Sequence, residues 1–319
     1  MAGAQETDGA HRSVAGASPD RRGARVVGLT RYGPMTRLDL DIPGWIPATP
    51  GRFVLLQHER SARFLPRAFS VHMQSGDVVS FLIAPIGPGS TELTECAVGD
   101  SVWVIGPVGR GFDEALDWWR GSVAASRRLV VVGGGVGAAP FPALLEALDP
   151  QGSSVPTLGG TSDDGGASPV GQGEVVVALG FRDASQAEAA ETFEGPADAL
   201  RARGVAVRVE TITEDGALGR AGLVTELLAD ELHAGDLVVV CGAHAMCAAV
   251  WEVCASLNRV RTWFSLEAGM ACGVGSCQGC VLPLADGTLA KVCRRGPVFA
   301  GGEVFGSPWD VCTSTQATP

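Results

Sequence analysis

Positive charge is scarce in this chain: its 319 residues carry 24 Lys and Arg against 35 Asp and Glu, a net charge of −11. Nucleic acids and anionic membrane surfaces are held by clustered cations that displace counterions, so neither is expected as a partner. Small molecules or other proteins are expected instead. Long hydrophobic runs are also missing. A long uncharged stretch, Leu129 to Leu145, is interrupted by Gly133, Gly134, Gly135, Gly137, Pro140 and Pro142, which reads as strand, turn and helix rather than a membrane span. The opening MAGAQETDGAHRSVAGASPDRRGA lacks the apolar centre of a secretory signal and the side chains needed to bury surface. Residues 1–24 are therefore expected to be a disordered leader on a cytoplasmic protein.

What is present is a hydrophobic content of 46% and nine cysteines, enough apolar material for two or three domains. In a reducing compartment the thiols point to metal binding or burial rather than disulfides. From Arg25 to about Phe112 the chain alternates short β-like runs, RAFSVHMQ among them, with Gly, Pro and Asp, which predicts a small antiparallel barrel over 25–120. The text then changes to apolar strands without polar alternation, LVVV, GEVVVALGF and GDLVVVCG, separated by helical stretches. That pattern predicts a parallel sheet covered on both faces over 121–260, with a low-complexity, mobile loop at 150–173. Residues 261–319 are expected to form a small third unit.

The third unit contains MACGVGSCQGC, in which Cys272, Cys277 and Cys280 are followed by Cys293. The pattern C-x4-C-x2-C-x12-C begins with the spacing of plant-type [2Fe-2S] proteins. Gly273, Gly275 and Gly279 would let the loop approach a cluster and aim N–H groups at its sulfurs. A structural zinc ion is the alternative, but zinc sites usually bring two short C-x2-C pairs. Cys96, Cys247, Cys254 and Cys312 lack such clustering and are expected to be inert.

Further signals lie upstream. Arg67-Ala68-Phe69-Ser70 places a guanidinium and a hydroxyl at the start of a strand, a combination able to bond a flavin's pyrophosphate and ring edge. PIGPGST puts Gly87, Gly89, Ser90 and Thr91 at a helix start, where free N–H groups attract phosphate. Gly133, Gly134, Gly135 and Gly137 follow an apolar strand and precede a helix, as a dinucleotide turn does, though without the G-x-G-x-x-G fingerprint. Cys241 and Gly242 end a second strand that could border the same crevice. Read without context, each of these upstream signals has an ordinary structural explanation as well: an exposed Arg, a tight glycine turn, a buried small thiol.

In this order the pieces resemble the ferredoxin-NADP reductase superfamily. Within it, the chain is similar to the electron-transfer subunits of the NAD-dependent, class B dihydroorotate dehydrogenases, over about Arg25 to Val304. The resemblance implies a multidomain β plus α/β protein: an antiparallel flavin-binding β-barrel, a parallel-sheet nucleotide-binding domain and a small C-terminal [2Fe-2S] domain. It implies FAD held by Arg67, Ala68, Phe69 and Ser70, by Leu82, Ile83 and Ala84, and by Gly89 and Ser90. It further implies NAD at the glycine turn, with NADP left open by Arg182, and a cluster on Cys272, Cys277, Cys280 and Cys293. Three positions depart from the family: Ala68 replaces a proline, Ala84 a common arginine, and Arg295 a frequent aspartate.

The implied activity is electron transfer between a partner flavoprotein dehydrogenase and NAD, through cluster and FAD, in the oxidation of dihydroorotate to orotate for pyrimidine biosynthesis. The implied partner is an FMN-containing catalytic subunit, in a heterotetramer of two of each. No residue reads as a catalytic base for the substrate, which fits an accessory subunit. The alternatives are a reductase of the same fold serving another redox system, such as a sulfide dehydrogenase, a ferredoxin-NADP reductase or an oxygenase, and a zinc-stabilised nucleotide-binding protein without redox chemistry.

Overall fold

A computed structural model describes residues 21–121, 127–149, 173–257 and 259–306. Seven strands make the first sheet: β1 (Arg21–Tyr32), β2 (Met35–Asp41), β3 (Phe53–His58), β4 (Arg67–Ser70), β5 (Met73–Ser75), β6 (Val78–Ile83) and β7 (Ser101–Val108). Their order is β4-β3-β7-β1-β2-β6-β5 and every pairing is antiparallel. Burial alternates along β7, with Val102, Val104 and Val108 buried, as a strand with one wet face requires. Val102 and Val104 join Leu38, Leu40, Val54, Leu56, Val79 and Phe81 in the barrel interior. The helix α1 (Pro88–Thr94) follows β6.

Two expectations about this unit change. The leader expected at residues 1–24 ends earlier: Arg21 to Ala24 pair with Ile105 to Val102, because the barrel edge supplies hydrogen-bond partners that composition cannot reveal. Residues 1–20 lie outside the described residues. The run RAFSVHMQ is also not one strand: the chain breaks at Val71 and His72, and passes from β4 to β5 on opposite edges of the sheet.

The second sheet follows α2 (Asp113–Gly121). Its elements are β8 (Arg127–Gly134), a 3-10 turn at Gly135–Ala138, α3 (Phe141–Leu148), β9 (Gly173–Phe181), α4 (Ala184–Ala187), α5 (Glu194–Ala202), β10 (Ala206–Thr213), β11 (Arg220–Ala221), α6 (Val224–Glu231), β12 (Leu237–Cys241), α7 (His244–Ala255) and β13 (Arg261–Ser265). These strands are parallel, in the order β11-β10-β9-β8-β12-β13. Val130 to Val132, Val175 to Leu179 and Leu237 to Val240 are buried throughout, since helices cover both faces. The predicted mobile loop falls on residues 150–172, outside those described; Gly173 already opens β9.

The third unit is smaller than its predicted span. β13 belongs to the parallel sheet, and a later strand, β16 (Val298–Ala300), returns to pair with it antiparallel. Between them lie the cysteine loop, the hairpin β14 (Val281–Pro283) and β15 (Leu289–Lys291), and α8 (Val292–Arg295); α9 (Gly301–Phe305) closes the described chain. Residues 307–319, including Cys312, lie outside it. One apolar core joins Cys280, Leu282, Ala290, Val292 and Cys293 to Val240 and Phe264 of the sheet and to Phe53 and Leu55 of the barrel. The barrel also docks on the α/β unit directly: the amide of Gly33 donates to Glu188 at 2.7 Å. Among the described residues no helix is long and apolar enough to cross a membrane.

Candidate functional site

β4 is the strand around which the site is built. Its residues Arg67, Ala68, Phe69 and Ser70 pair with Leu56, Leu55, Val54 and Phe53 of β3. Arg67 Nη1 donates to the carbonyls of Leu65 at 2.6 Å and Pro66 at 3.3 Å. A Cβ on Gly89 would stand 3.0 Å from Arg67 Nε, so the absence of a side chain lets the guanidinium lie against the start of α1. The hydroxyl of Ser90 is used locally, donating to the Gly87 carbonyl at 2.9 Å and accepting its N–H at 3.1 Å. Leu82 and Ile83 turn their side chains into two different cores, and only their backbone is free to meet a ligand; Ala84 is half-buried. Sequence reasoning passed over Phe64 and Ile86, which stand 93% and 85% exposed just before β4 and α1. Large apolar side chains left in water next to an Arg and a glycine-rich helix start are the signal that could have found them.

The glycine turn and the end of β12 are brought together. Cys241 pairs with Gly133 in register, and a Cβ on Gly137 would lie 2.5 Å from Gly242 Cα and 2.6 Å from the Cys241 carbonyl oxygen. Only glycine permits that backbone approach. The Cys241 side chain is 3% exposed, and burial, with weaker contributions from Glu267 and Cys247, pushes its thiol well above the ordinary range. What covers the crevice instead is Met246, whose sulfur would be within 2.8 Å of a Cβ on either Gly134 or Gly242. This residue was missed because a methionine on a helix reads as core filler. Arg182, the proposed discriminator between NAD and NADP, is exposed and pairs with Asp183 at 3.5 Å.

In the cysteine loop, Gly273 and Gly275 take φ of +66° and +85°, and their missing side chains make room for Leu55 and Arg294. Gly279 does neither; Gln278, at φ 57°, supplies the third left-handed turn. Cys280 and Cys293 are buried, Cys272 is half-buried and Cys277 exposed. Backbone amides aim at the sulfurs: Cys277 N–H to Cys272 Sγ at 3.4 Å, Gly279 N–H to Cys277 Sγ at 3.4 Å, and Cys293 N–H to Cys280 Sγ at 3.5 Å. Burial raises the Cys272 thiol, but hydrogen bonds from the amides of Cys277, Val274 and Ser276 and from the Cys277 side chain bring it down to about 6. Burial, then Cys280, lift Cys293 to about 12. Lys291, the chain's single lysine, donates to the Gly275 carbonyl at 3.1 Å and ties the loop to β15.

The thiols thus associate as two pairs, Cys272 with Cys277 and Cys280 with Cys293. Among the described residues, His58, Cys96 and Asp100 form a separate group of metal-type side chains within 4.8 Å of one another. Two pairs suit a cluster of two irons held by four cysteines. The His58 group does not suit a metal. Its Nδ1 accepts the Arg60 amide at 3.1 Å, so Nε2 carries the proton and faces Asp100 at 3.7 Å.

The cysteine loop and the glycine turn both reach β4. Gly273 packs on Leu55, the β3 partner of Ala68, while Ala139, directly after the glycine turn, accepts a hydrogen bond from His72, two residues after Ser70. Residues 267–305 match the model of the iron-sulfur cluster binding domain of dihydroorotate dehydrogenase B. The chain is 30% identical over 262 residues to the electron transfer subunit of dihydroorotate dehydrogenase B (NAD(+)) from Listeria monocytogenes, covering 80% of this chain and 87% of that protein. It is 31% identical over 256 residues to the subunit of the same name from Clostridium perfringens, covering 80% and 86%. Among solved structures, the NADH-dependent reduced ferredoxin-NADP oxidoreductase superimposes with a TM-score of 0.65 at 21% identity, covering 90% of each chain. A ferredoxin NADP+ reductase from Neisseria gonorrhoeae gives 0.55 at 15% identity, covering 77% of this chain and 99% of that one. These two likenesses speak for the fold.

Proposed function

This chain belongs to the family of electron transfer subunits of dihydroorotate dehydrogenase B (NAD(+)), and from that premise we propose that it passes electrons between a catalytic dehydrogenase subunit and NAD, in the oxidation of dihydroorotate to orotate. Bound FAD supplies the needed conversion, because a flavin exchanges hydride with a nicotinamide and single electrons with a [2Fe-2S] cluster. The observation that carries the reading is the place of β4, touched through Leu55 by the cysteine loop and through His72 by the glycine turn.

The chain's own residues have distinct tasks. Arg67 neutralises the FAD pyrophosphate beside Gly89 and Ser90, and Ala68, Phe69 and Ser70 line the flavin together with the backbone of Leu82, Ile83 and Ala84. Gly133, Gly134, Gly135 and Gly137 let the chain approach the NAD pyrophosphate, with Cys241 and Gly242 forming the other wall and Met246 yielding to the ligand. Cys272, Cys277, Cys280 and Cys293 hold the two irons, and the amides that donate to their sulfurs stabilise the charge there. The barrel is the FAD domain, the parallel sheet the NAD domain, and the insertion between β13 and β16 the cluster domain. The exposed Cys277 faces the catalytic subunit, which carries FMN; the assembly contains two of each chain and works in the cytoplasm.

The purified protein is expected to be brown, with flavin and iron-sulfur absorption bleached by NADH and an EPR signal from the reduced cluster. Iron-reconstituted protein with neither FAD nor that signal would sink the reading. Affinity purification is expected to bring down an FMN-containing dihydroorotate-oxidising subunit; consistent capture of another dehydrogenase would overturn the substrate assignment alone.

A further inference from the structure

His72 has no task in the scheme above, yet its setting is unusual. It sits at the break between β4 and β5 with its side chain fully buried at 0% exposure, although histidines are usually at least partly wet. Nδ1 lies 2.7 Å from the Ala139 carbonyl oxygen, and the Ala143 amide donates to the carbonyl of His72 at 3.1 Å. A carbonyl only accepts, so Nδ1 holds the proton and Nε2 is a bare lone pair, buried without a hydrogen-bond partner. Arg37 and Asp39 of β2 are the charged groups that act on the ring, and they pair with each other at 3.1 Å. Leaving one ring nitrogen unsatisfied costs stability, and an aliphatic side chain would fill the space without that cost. The bond from Nδ1 is what histidine adds.

Both contacts fall on the segment that leaves the glycine turn: Ala139 closes the turn and Ala143 lies in the first turn of α3. We propose that His72 is a positioning residue that fixes the nucleotide turn relative to the flavin strand, and so sets the approach of the nicotinamide to FAD. The inference rests on the FAD and NAD assignments above. In the step it serves, the nicotinamide C–H bond of NADH breaks and a flavin N–H bond forms. NADH is oxidised to NAD+, and the two electrons travel with the hydride to FAD. Such transfers are sensitive to placement, and an error of about 1 Å can cost on the order of a hundredfold in rate. Two bonds on either side of one helix start restrain both sliding and rotation of the turn.

The test is anaerobic stopped-flow bleaching of FAD by NADH in the cofactor-loaded protein. His72→Leu is expected to slow flavin reduction about tenfold or more, with FAD and iron contents unchanged. His72→Asn, whose amide N–H can stand where Nδ1–H stood, is expected to recover most of the rate. A leucine variant that loses thermal stability but is reduced at the wild-type rate would overturn the proposal. So would a 15N imidazole spectrum of the wild-type protein showing the proton on Nε2, and this holds whether or not the leucine variant folds. Wild-type protein that binds both cofactors yet is not bleached by NADH would bring down the functional reading and this proposal with it. A bleached wild type beside an unaffected leucine variant removes the proposal alone.

Discussion

The loop that carries Cys272, Cys277 and Cys280 and the turn that carries Gly133 to Gly137 both reach β4, one through Gly273 and Leu55, the other through Ala139 and His72. The loop is built from local material. Three of the cysteines, the left-handed turns and two of the amide donors fall within one short segment, and the next hairpin brings Lys291 and Cys293 to it. The turn is shaped by distant material: β12 brings Gly242 against Gly137, α7 brings Met246 over Gly134, and His72 arrives from 67 residues away. A metal site needs exact donors in a small volume, and a nucleotide crevice needs two backbones to meet. Most of the cysteine loop comes from neighbouring sequence, whereas the crevice exists only once the sheets have packed.

If the two regions serve β4 independently, they can be broken independently. The largest effect is expected from Cys277→Ser, which removes one ligand: the reduced-cluster EPR signal disappears while FAD is retained and NADH still bleaches it. Loss of flavin reduction in that variant would show the two regions to be coupled.

Next in size is a pH effect confined to the turn side. Burial, outweighing the Ala139 hydrogen bond, holds His72 down to about 4, with Arg37 lowering it and Asp39 raising it slightly. A histidine depressed in the folded state stays neutral there while the unfolded chain, titrating near 6.5, takes up a proton. Its contribution is therefore intact above about pH 6.5 and is lost as pH falls toward about 4, on the order of 3 kcal/mol in all. Chemical denaturation between pH 7 and 4 is expected to show this slope in wild-type protein and a shallower one in His72→Asn.

The smallest effects separate two glycines of the cysteine loop. Gly273→Ala forces a side chain into the left-handed region and against Leu55 Cδ1 at 2.3 Å, an expected loss of about 1–2 kcal/mol. Gly279→Ala meets only Cys277 Sγ at 3.5 Å and is expected to stay within about 0.5 kcal/mol of wild type. Thermal melts and iron retention would distinguish them, and equal losses would mean that the loop tolerates no side chain for reasons other than backbone strain.

Legibility followed the same division. The thiol pattern, the alternating barrel strands and the apolar parallel strands were readable because each is a short-range pattern imposed by ligand geometry or by burial on one or two faces. The strand formed by Arg21 to Ala24 was not, since RRGA offers one small apolar residue, Ala24, and no alternation; it is a strand because β7 offers an edge to pair with. Nor was the split of RAFSVHMQ, where a run of uniform β character crosses from one edge of the sheet to the other at His72. Met246 and His72 gave no signal because their neighbours in space are not their neighbours in sequence.

The sequence by itself determined where the four-cysteine pattern and the glycine turns stand, and which segments form barrel and parallel sheet. Local spacing and periodicity carry that information without reference to the rest of the chain. Only the tertiary structure decided that the cluster unit is inserted between β13 and β16, that Leu55 and His72 connect the cysteine loop and the glycine turn to one strand, and that the four thiols stand as two pairs. Those facts depend on long-range packing, whose partners are chosen by the shapes of whole faces rather than by any residue's immediate neighbours.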